Sequence, residues 1–278
     1  MESKYIKSTW RLIRNEPGEG AWNMAVDEAL LESISLGNSL PVLRLYAWQP
    51  PCLSLGYAQT ISEVDLERLA KYDWQIVRRP TGGRAILHTD ELTYSVTAPF
   101  GEPRLEGGVL ESYQRISQAL MRALSYIGLP VEAHQFNAQN ENDQPKGPVC
   151  FEVPSNYEIT LGGKKLVGSA QARKKEGILQ HGTLPLWGDL ARITWALAYS
   201  DEAERRAAAR KLLERATTVQ DHLVQKITWE QAAQAFVDGF RDKLNLEFVE
   251  RALSKQELAR AADLVREKYG NPQWTKRV

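Results

Sequence analysis

Five short strand-like stretches between two long helical segments are the feature that most constrains this fold. Apolar residues at helical spacing predict an amphipathic first helix from Trp22 to Ile34, ended by Gly37, and a second helix from Tyr113 to Ile127. Between these helices lie PVLRLYAW, CLSLGYAQ, WQIVRRP, RAILH and LTYSVTAP, separated by Pro, Gly and Asp. This order predicts an α+β protein with a mixed, largely antiparallel sheet flanked by helices.

From about Asp189 onward the chain is predicted to be helical. Two segments begin with capping boxes, Thr228 with Gln231 and Ser254 with Glu257. The Ala- and Arg-rich run over residues 204–216 is typical of a solvated helix face. Because no internal repeat divides the 278 residues, we expect one principal domain with a helical C-terminal extension.

Charge and cysteine content exclude several classes of protein. The 35 Lys and Arg residues balance the 35 Asp and Glu residues, so the chain lacks the electrostatic footprint of a general nucleic-acid binder. Two cysteines cannot form a disulfide framework, which favours a reducing, cytoplasmic compartment. The first twenty residues lack the apolar core of a secretory signal, and no run is long enough to span a membrane.

A cysteine close to lysines suggests nucleophilic chemistry. Cys150 follows an amide-rich stretch, residues 134–147, that is predicted to be a mobile surface loop, and it precedes Lys164 and Lys165. Nearby cations lower the pKa of a thiol and make it a better nucleophile. Cys52 lies in an alternating strand with no cation nearby, and we expect it to be a structural residue.

The stretch after Cys150 predicts a β-hairpin. Alternating apolar residues precede Gly162 and Gly163, a pair typical of a tight primed turn. Antiparallel pairing across that turn places Lys165 opposite Thr160 and not opposite the cysteine. Lys164 and Lys165 then point to opposite faces, so only one of them can face a site.

The stretch RRPTGGRAILH, from Arg78 to His88, is a second candidate for a site. A strand enters a Gly-Gly turn and leaves it again; glycines allow close approach of the backbone to a ligand, and flanking arginines suit a phosphate or carboxylate. The same letters are compatible with an ordinary hairpin. His88 and His181 are each compatible with a structural or a functional role, and no clustered Cys and His residues suggest a zinc site.

Together these stretches resemble the biotin/lipoate protein ligase superfamily and, within it, the LipM-type octanoyltransferases. The matching stretches occur in the family's order: NMAVDEALL, RRPTGGRAILHTDELTYSV, VCFEVPSNYE and KKLVGSAQARKKEGILQHGTLPL. The resemblance implies a catalytic domain of the biotin/lipoate protein ligase fold over residues 8–250, with residues 251–278 as the helical extension. Arg84 replaces a third glycine that is frequent in ligases, which fits the transferase branch. Thr89 follows His88 where Asp is common, which leaves the role of His88 open.

The resemblance also implies specific site residues. The cysteine before the C-F-x-x-P-S-x-Y-E run is Cys150, the implied nucleophile, and the lysine three positions before the glycine of K-x-x-G-x-A is Lys165, the implied second catalytic residue. The implied substrate-binding residues come from two stretches and are Arg78, Gly82, Gly83, Arg84, His88, Gly168, Ser169 and Ala170.

The implied activity is transfer of octanoyl from octanoyl-acyl carrier protein to a lysine of a lipoyl domain through an octanoyl-Cys150 thioester. The expected acceptor is the glycine cleavage H protein, with E2 subunits as further candidates. Transfer from a thioester to an amide is downhill, so no ATP, cofactor or metal is expected. Both partners are typically acidic, and the candidates for a basic rim are Arg78, Arg79, Arg84, Arg173, Lys174 and Lys175.

Three other functions are compatible with the sequence. An amidotransferase of the same fold would move octanoyl from the H protein to other lipoyl domains through the same thioester. An ATP-dependent lipoate ligase would require ATP and free lipoate and would tolerate Cys150→Ala. A non-catalytic relative would bind acyl carrier protein or lipoyl domains without turnover, but the intact Cys150 and Lys165 argue against it.

Overall fold

Two β-sheets of unequal size organise the chain, which the computed structural model describes over residues 5–134, 148–149 and 158–278. Six of the nine strand pairs in these ranges are antiparallel and three are parallel, which confirms a mixed, largely antiparallel α+β fold. The strands are β1 (Ser8–Arg14), β2 (Val42–Tyr46), β3 (Cys52–Leu55), β4 (Gln75–Arg78), β5 (Ile86–His88), β6 (Glu91–Ala98), β7 (Glu132–His134), β8 (Glu158–Leu161), β9 (Lys164–Lys174), β10 (Gly177–Pro185) and β11 (Leu246–Glu250). The larger sheet has the order β11-β1-β2-β6-β10-β9-β8-β7, and the smaller has the order β4-β3-β5.

Helices cover both faces of the larger sheet. Side chains alternate along β2, so that Leu43 and Leu45 pack in one core with the helices over residues 109–126 and 229–244, while Val42 and Tyr46 pack in a second core with the helices over residues 20–35 and 255–264. The α-helices are α1 (Gly20–Ser35), α2 (Leu66–Lys71), α3 (Val109–Tyr126), α4 (Glu202–Arg215), α5 (Trp229–Leu244), α6 (Lys255–Leu264) and α7 (Pro272–Thr275). Short 3₁₀ turns lie at Ile61–Glu63, Pro103–Leu105, Leu190–Trp195 and Gln220–His222, and a π-helical turn lies at Val265–Tyr269.

The first helix is buried on more faces than the sequence predicts. Its polar residues Asn23 and Asp27 are as fully buried as its apolar residues. Glu28, Glu32 and Ser35 leave one narrow stripe of the helix at least partly exposed, so the helix is amphipathic as predicted but its buried face is wider than the apolar spacing indicates. Its predicted end is confirmed, since Gly37 follows the last turn with a φ of 74°.

The predicted hairpin and both capping boxes are confirmed. Gly162 and Gly163 have φ angles of 58° and 76°, and Lys165 pairs with Thr160. Lys165 is buried whereas Lys164 is partly exposed, as expected for neighbours on opposite faces of a strand. The Thr228–Gln231 box lies at the start of α5, and the Ser254–Glu257 box lies at the start of α6. Cys150 and the predicted loop after His134 lie outside the described residues.

The stretch RRPTGGRAILH does not form a hairpin. β4 and β5 both pair with β3, which lies between them, β4 in parallel and β5 antiparallel. The connection between them, residues 79–85, is therefore free to reach across the end of β3; we call it the glycine loop. Four of its residues line an open groove at the candidate active site.

Candidate active site

A partly open, mostly apolar pocket lies between the two sheets. The empty space in and around it is about 360 Å³. Four of the predicted binding residues, His88, Gly168, Ser169 and Ala170, line it together with His181. The other lining residues are Met24, Tyr46, Trp48, Ser54, Arg79, Ile86, Thr93, Gly182 and Thr183.

An open groove adjoins this pocket along β9. Ala170 belongs to the pocket and Gln171, the next residue, belongs to the groove, whose empty volume is about 1030 Å³. The predicted residues Gly82, Gly83 and Arg84 line the groove and not the apolar pocket. Its other lining residues are Tyr57, Ala58, Gln59, Pro80, Ala172, Arg173 and Lys174.

Arg78 and Arg79 are both buried but have different contacts. The Arg78 guanidinium donates to the carbonyl oxygens of Gly56 at 2.8 Å, Gln59 at 2.6 Å and Thr275 at 2.7 Å, and it lines neither the pocket nor the groove. Arg79 lines the pocket. Arg78 therefore stabilises the backbone beside the site without facing the pocket or the groove. Because Arg78 and Arg79 are both buried, the candidates for a basic rim on the surface are reduced to Arg84, Arg173, Lys174 and Lys175.

His88 lies in the pocket wall with both ring nitrogens engaged. Its Nδ1 lies 2.5 Å from Glu91 Oε1 and its Nε2 lies 2.7 Å from Ser54 Oγ. The ring stacks on Trp48 with centroids 3.9 Å apart. These contacts fix the imidazole against the pocket and make it a wall of defined shape.

His181 connects the pocket to a buried carboxylate. Its Nε2 lies 2.6 Å from Thr81 Oγ1 in the glycine loop, and its Nδ1 lies 3.5 Å from Asp27 Oδ2. Burial lowers the pKa of His181, although the Asp27 carboxylate opposes this effect. The imidazole is therefore neutral at pH 7, as suits a pocket with apolar walls.

Lys165 forms a buried ion pair. Its Nζ lies 2.8 Å from Glu158 Oε1, and both side chains are less than a tenth exposed. Lys164 instead donates to the carbonyl oxygen of Leu213 at the surface. Of the two adjacent lysines, Lys165 faces inward.

The two residues before Cys150 are bonded to the glycine loop. Val149 forms a parallel bridge with Ala85 of the glycine loop, and Ala85 N donates to Pro148 O at 3.0 Å. Cys150 itself lies outside the described ranges. The two residues before it are thus held beside the groove.

Cys52 lies in a different environment from that expected of a nucleophile. It is fully buried in β3, and a β-carbon on Gly20 would lie 2.3 Å from its Sγ. Burial raises the pKa of the Cys52 thiol well above its usual range, and the nearby Glu91 adds to this effect. A thiol that stays protonated is a poor nucleophile, which agrees with the structural role expected of it.

Several polar residues of the site were not predicted. Thr81 and Glu158 have no role in the sequence-based prediction, Arg79 appears there only as a candidate for the basic rim, and His181 is compatible with a structural or a functional role. Alternation along β4 into the glycine loop offered one signal, since it turns Arg78 and Arg79 to opposite sides. The contact between Thr81 and His181 joins residues 100 positions apart, so no local sequence pattern predicts it.

Two negative findings concern the described part of the chain. Over these residues no group of three or more His, Cys, Asp and Glu side chains is arranged to hold a metal ion. None of the helices there combines the length and apolar character that crossing a bilayer requires.

Comparison with known proteins agrees with this geometry. Residues 19–241 match the family described as lipoyl protein ligase A/B catalytic domain, and the chain belongs to this family. Among curated relatives, proteins named Octanoyltransferase LipM are 37% identical in Bacillus subtilis, over 96% of this chain and 98% of that protein, and 39% identical in Kyrpidia tusciae, over 97% and 99%. The resemblance to LipM-type octanoyltransferases is therefore confirmed.

Solved structures show the same fold. A bipartite lipoate protein ligase from Thermoplasma acidophilum, studied with its E2 lipoyl domain, superposes with a TM-score of 0.80 at 26% identity and 96% coverage of both chains. A putative lipoate protein ligase from the same organism, with bound lipoic acid, gives a TM-score of 0.78 at 26% identity, covering 98% of this chain and all of that one. The predicted biotin/lipoate protein ligase fold is confirmed.

Proposed function

We propose that this protein transfers octanoyl from octanoyl-acyl carrier protein to a lysine of a lipoyl domain, through a thioester on Cys150. The observation that carries the proposal is that two separate predicted binding stretches meet at one pocket. Residues from two separate stretches that resemble the octanoyltransferases, ending in His88 and beginning at Gly168, line a single apolar pocket. The octanoyltransferase name of relatives matched over almost their whole length supports the same activity.

The pocket supports an alkyl substrate. Methylene groups gain free energy when apolar walls replace water around them. Both nitrogens of His88 are hydrogen-bonded, and the Arg79 guanidinium that also lines the pocket donates to carbonyl oxygens of the glycine loop, so these polar groups of the wall have partners within the protein. A chain of eight carbons would lie here with its carbonyl toward the groove.

The first half-reaction requires a thiolate and a cation. The ammonium of Lys165, held by Glu158, would favour the thiolate of Cys150. The thiolate attacks the octanoyl carbonyl, the bond to the donor's sulfur breaks, and that sulfur leaves with the electron pair and takes up a proton. An octanoyl-Cys150 enzyme remains.

The second half-reaction consumes the thioester. The acceptor lysine attacks as a free amine, an amide bond forms, and the Cys150 sulfur leaves. The leaving Cys150 sulfur takes a proton from the Lys165 ammonium, and the Lys165 amine so formed takes the proton that the acceptor amine loses, which makes Lys165 the proposed shuttle. The H protein is the proposed acceptor, and the surface cations Arg84 and Lys174, which are partly exposed, and Lys175, which is exposed, favour an acidic partner that would compete with their present carboxylate neighbours.

Intact-protein mass spectrometry tests the proposal. The protein is mixed with octanoyl-acyl carrier protein without ATP, beside Cys150→Ala and, as the matched thiol control, Cys52→Ala. We expect a hydroxylamine-labile octanoyl adduct on the wild type and on Cys52→Ala, absent from Cys150→Ala, and discharged by added H protein. An adduct that survives Cys150→Ala would refute the assignment of the nucleophile.

The same assay separates the rival functions. Acylation by octanoylated H protein, without acylation by the carrier protein, would make the chain an amidotransferase. Lipoylation that requires ATP and free lipoate, and that persists in Cys150→Ala, would make it a ligase. Binding of either partner protein with no adduct and no product would leave a non-catalytic role.

A further inference from the structure

The glycine loop turns a series of backbone carbonyls inward. The oxygen of Thr81 accepts a hydrogen bond from Tyr57 N at 2.9 Å. Arg79 Nη2 donates to the oxygen of Gly82 at 3.0 Å and to that of Arg84 at 2.7 Å. Four consecutive residues, 81–84, thus direct their carbonyls toward the protein, the remaining one being that of Gly83.

The carbonyl of Gly83 is directed inward by close packing. A β-carbon on the buried Gly56 would lie only 1.9 Å from the oxygen of Gly83, so this oxygen packs directly against the Gly56 backbone. Gly83 itself has a φ of 89°, a conformation that side-chain-bearing residues rarely adopt. Both glycines are needed for the loop to have this shape.

Inward carbonyls imply outward N–H groups. In a trans peptide the N–H of each residue points opposite to the carbonyl of the residue before it. Within residues 5–134, 148–149 and 158–278, the N–H groups of Gly82, Gly83 and Arg84 donate to no protein acceptor. The next N–H in the series, that of Ala85, donates to Pro148 O at 3.0 Å.

This arrangement has the properties of an anion-binding nest. Successive outward N–H groups in a turn form a concavity that attracts negative oxygen. Gly82 and Gly83 are exposed on the groove, and nothing lies within 4 Å of a β-carbon built on Gly82. The Arg79 guanidinium fixes the loop from the side of the apolar pocket, so the donors are oriented before any ligand binds.

We infer that the backbone N–H groups of Gly83 and Arg84 form the oxyanion hole of this enzyme, with Arg79 as their positioning residue. The inference rests on the proposed function. When a thiolate adds to the octanoyl carbonyl, the π electron pair moves onto oxygen, and these N–H groups hold that oxygen until the pair returns and the donor's sulfur leaves. Preorganised donors of this kind stabilise the transition state more than the bound substrate.

Gly83→Ala is the test variant, because it disturbs the donor geometry without filling the groove. The added β-carbon would lie 3.0 Å from Arg79 Nη2, so the variant combines a strained φ with displacement of the positioning group. Gly128→Ala is the matched control: Gly128 has a φ of 83°, has nothing within 4 Å of its β-carbon, and ends α3 away from the site. Arg79→Lys is a second variant, which retains the charge but cannot hold two carbonyls in one plane.

The rate of Cys150 acylation by octanoyl-acyl carrier protein is measured for each variant. We expect Gly83→Ala to lower kcat by about 100-fold with KM almost unchanged, Arg79→Lys to act in the same direction, and Gly128→Ala to match the wild type. Octanal provides a second readout, since its hemithioacetal with Cys150 places an oxygen in the hole. Its affinity should fall in Gly83→Ala, while that of octan-1-ol should not.

Two results would overturn the inference. One is an unchanged kcat in folded Gly83→Ala; the other is a loss confined to KM, which would make the loop a site for a ground-state anion such as the donor's phosphate. Both presuppose that the wild type is acylated. If the wild type takes no octanoyl group from the carrier protein, the proposed function fails first and the oxyanion hole with it.

Discussion

Lys164 and Lys165 are neighbours in the chain but have different surroundings. Lys165 is buried with Glu158, whereas Lys164 extends over the surface to the Leu213 carbonyl. Removing one partner of a buried ion pair leaves an uncompensated charge, which costs more than the pair itself contributes. Lys165 thus affects both stability and the proposed chemistry, and an experiment must separate these two effects.

Replacing each lysine by Met provides that separation. Lys165→Met should lower the acylation rate of Cys150 by about 100-fold and the free energy of unfolding by about 3 kcal/mol, while Lys164→Met should leave both near the wild type. Adding Glu158→Gln to Lys165→Met should restore part of the stability but none of the rate. Rates from mass spectrometry and urea denaturation check this, and a double variant that regains activity would contradict the proposed role of Lys165.

At the scale of elements, Asp27 attaches α1 to the larger sheet. Its carboxylate accepts from Arg44 Nη1 at 2.7 Å, from Ser95 Oγ at 2.8 Å and from Tyr46 OH at 3.1 Å. Burial alone would raise the pKa of Asp27, but the Arg44 guanidinium and His181 outweigh burial and lower it. One carboxylate therefore joins α1, β2 and β6.

The lowered pKa of Asp27 predicts acid sensitivity. A depressed folded pKa contributes stability that is present above the unfolded value of about 4 and is lost as the pH falls below it. Asp27→Asn should be less stable at pH 7, by about 3 kcal/mol since Arg44 loses its counter-charge, and should lose less further stability between pH 5 and pH 3. Urea denaturation across that range tests this; parallel profiles for the two proteins would contradict it.

Elements that depend on neighbouring residues were predictable, and those that depend on distant ones were not. The hairpin at Gly162 and both capping boxes follow from local rules of turns and helix ends. β1 was missed because it lies inside the larger sheet between two parallel partners and shows no alternation. The apolar pocket could be inferred only by resemblance, since its walls come from strands far apart in sequence.

At the scale of the whole molecule, the C-terminal segment is built into the site. The carbonyl oxygen of Thr275 accepts two hydrogen bonds from Arg78, and Trp274 Nε1 donates to the carbonyl oxygen of Arg78 at 2.8 Å. Arg277 stacks on Tyr57, at the edge of the groove, at 3.7 Å. The domain boundary at residue 250 stays a prediction, but the residues beyond it contact the catalytic part directly.

Removing residues 271–278 should therefore affect more than the terminus. Because Arg78 would keep a buried charge without part of its hydrogen bonding, we expect the free energy of unfolding to fall by about 3 kcal/mol and proteolysis within the glycine loop to become faster. Arg277→Ala, which removes the surface stacking on Tyr57 and Trp274 and one surface hydrogen bond to the Tyr57 carbonyl oxygen but leaves the contacts of Arg78 intact, is the control and should change stability little. Urea denaturation and limited proteolysis check this, and an unchanged cleavage rate in the loop would contradict it.

The contact between Gly56 and Gly83 has a practical consequence for enzyme engineering. Libraries that aim at new acyl groups should vary Met24 and Thr183, which line the apolar pocket. They should leave Gly56 unchanged. A β-carbon at that residue would lie only 1.9 Å from the carbonyl oxygen of Gly83 and would displace it. The wall of the apolar pocket and the proposed oxyanion hole thus depend on different residues, so the first can be diversified while the second is kept.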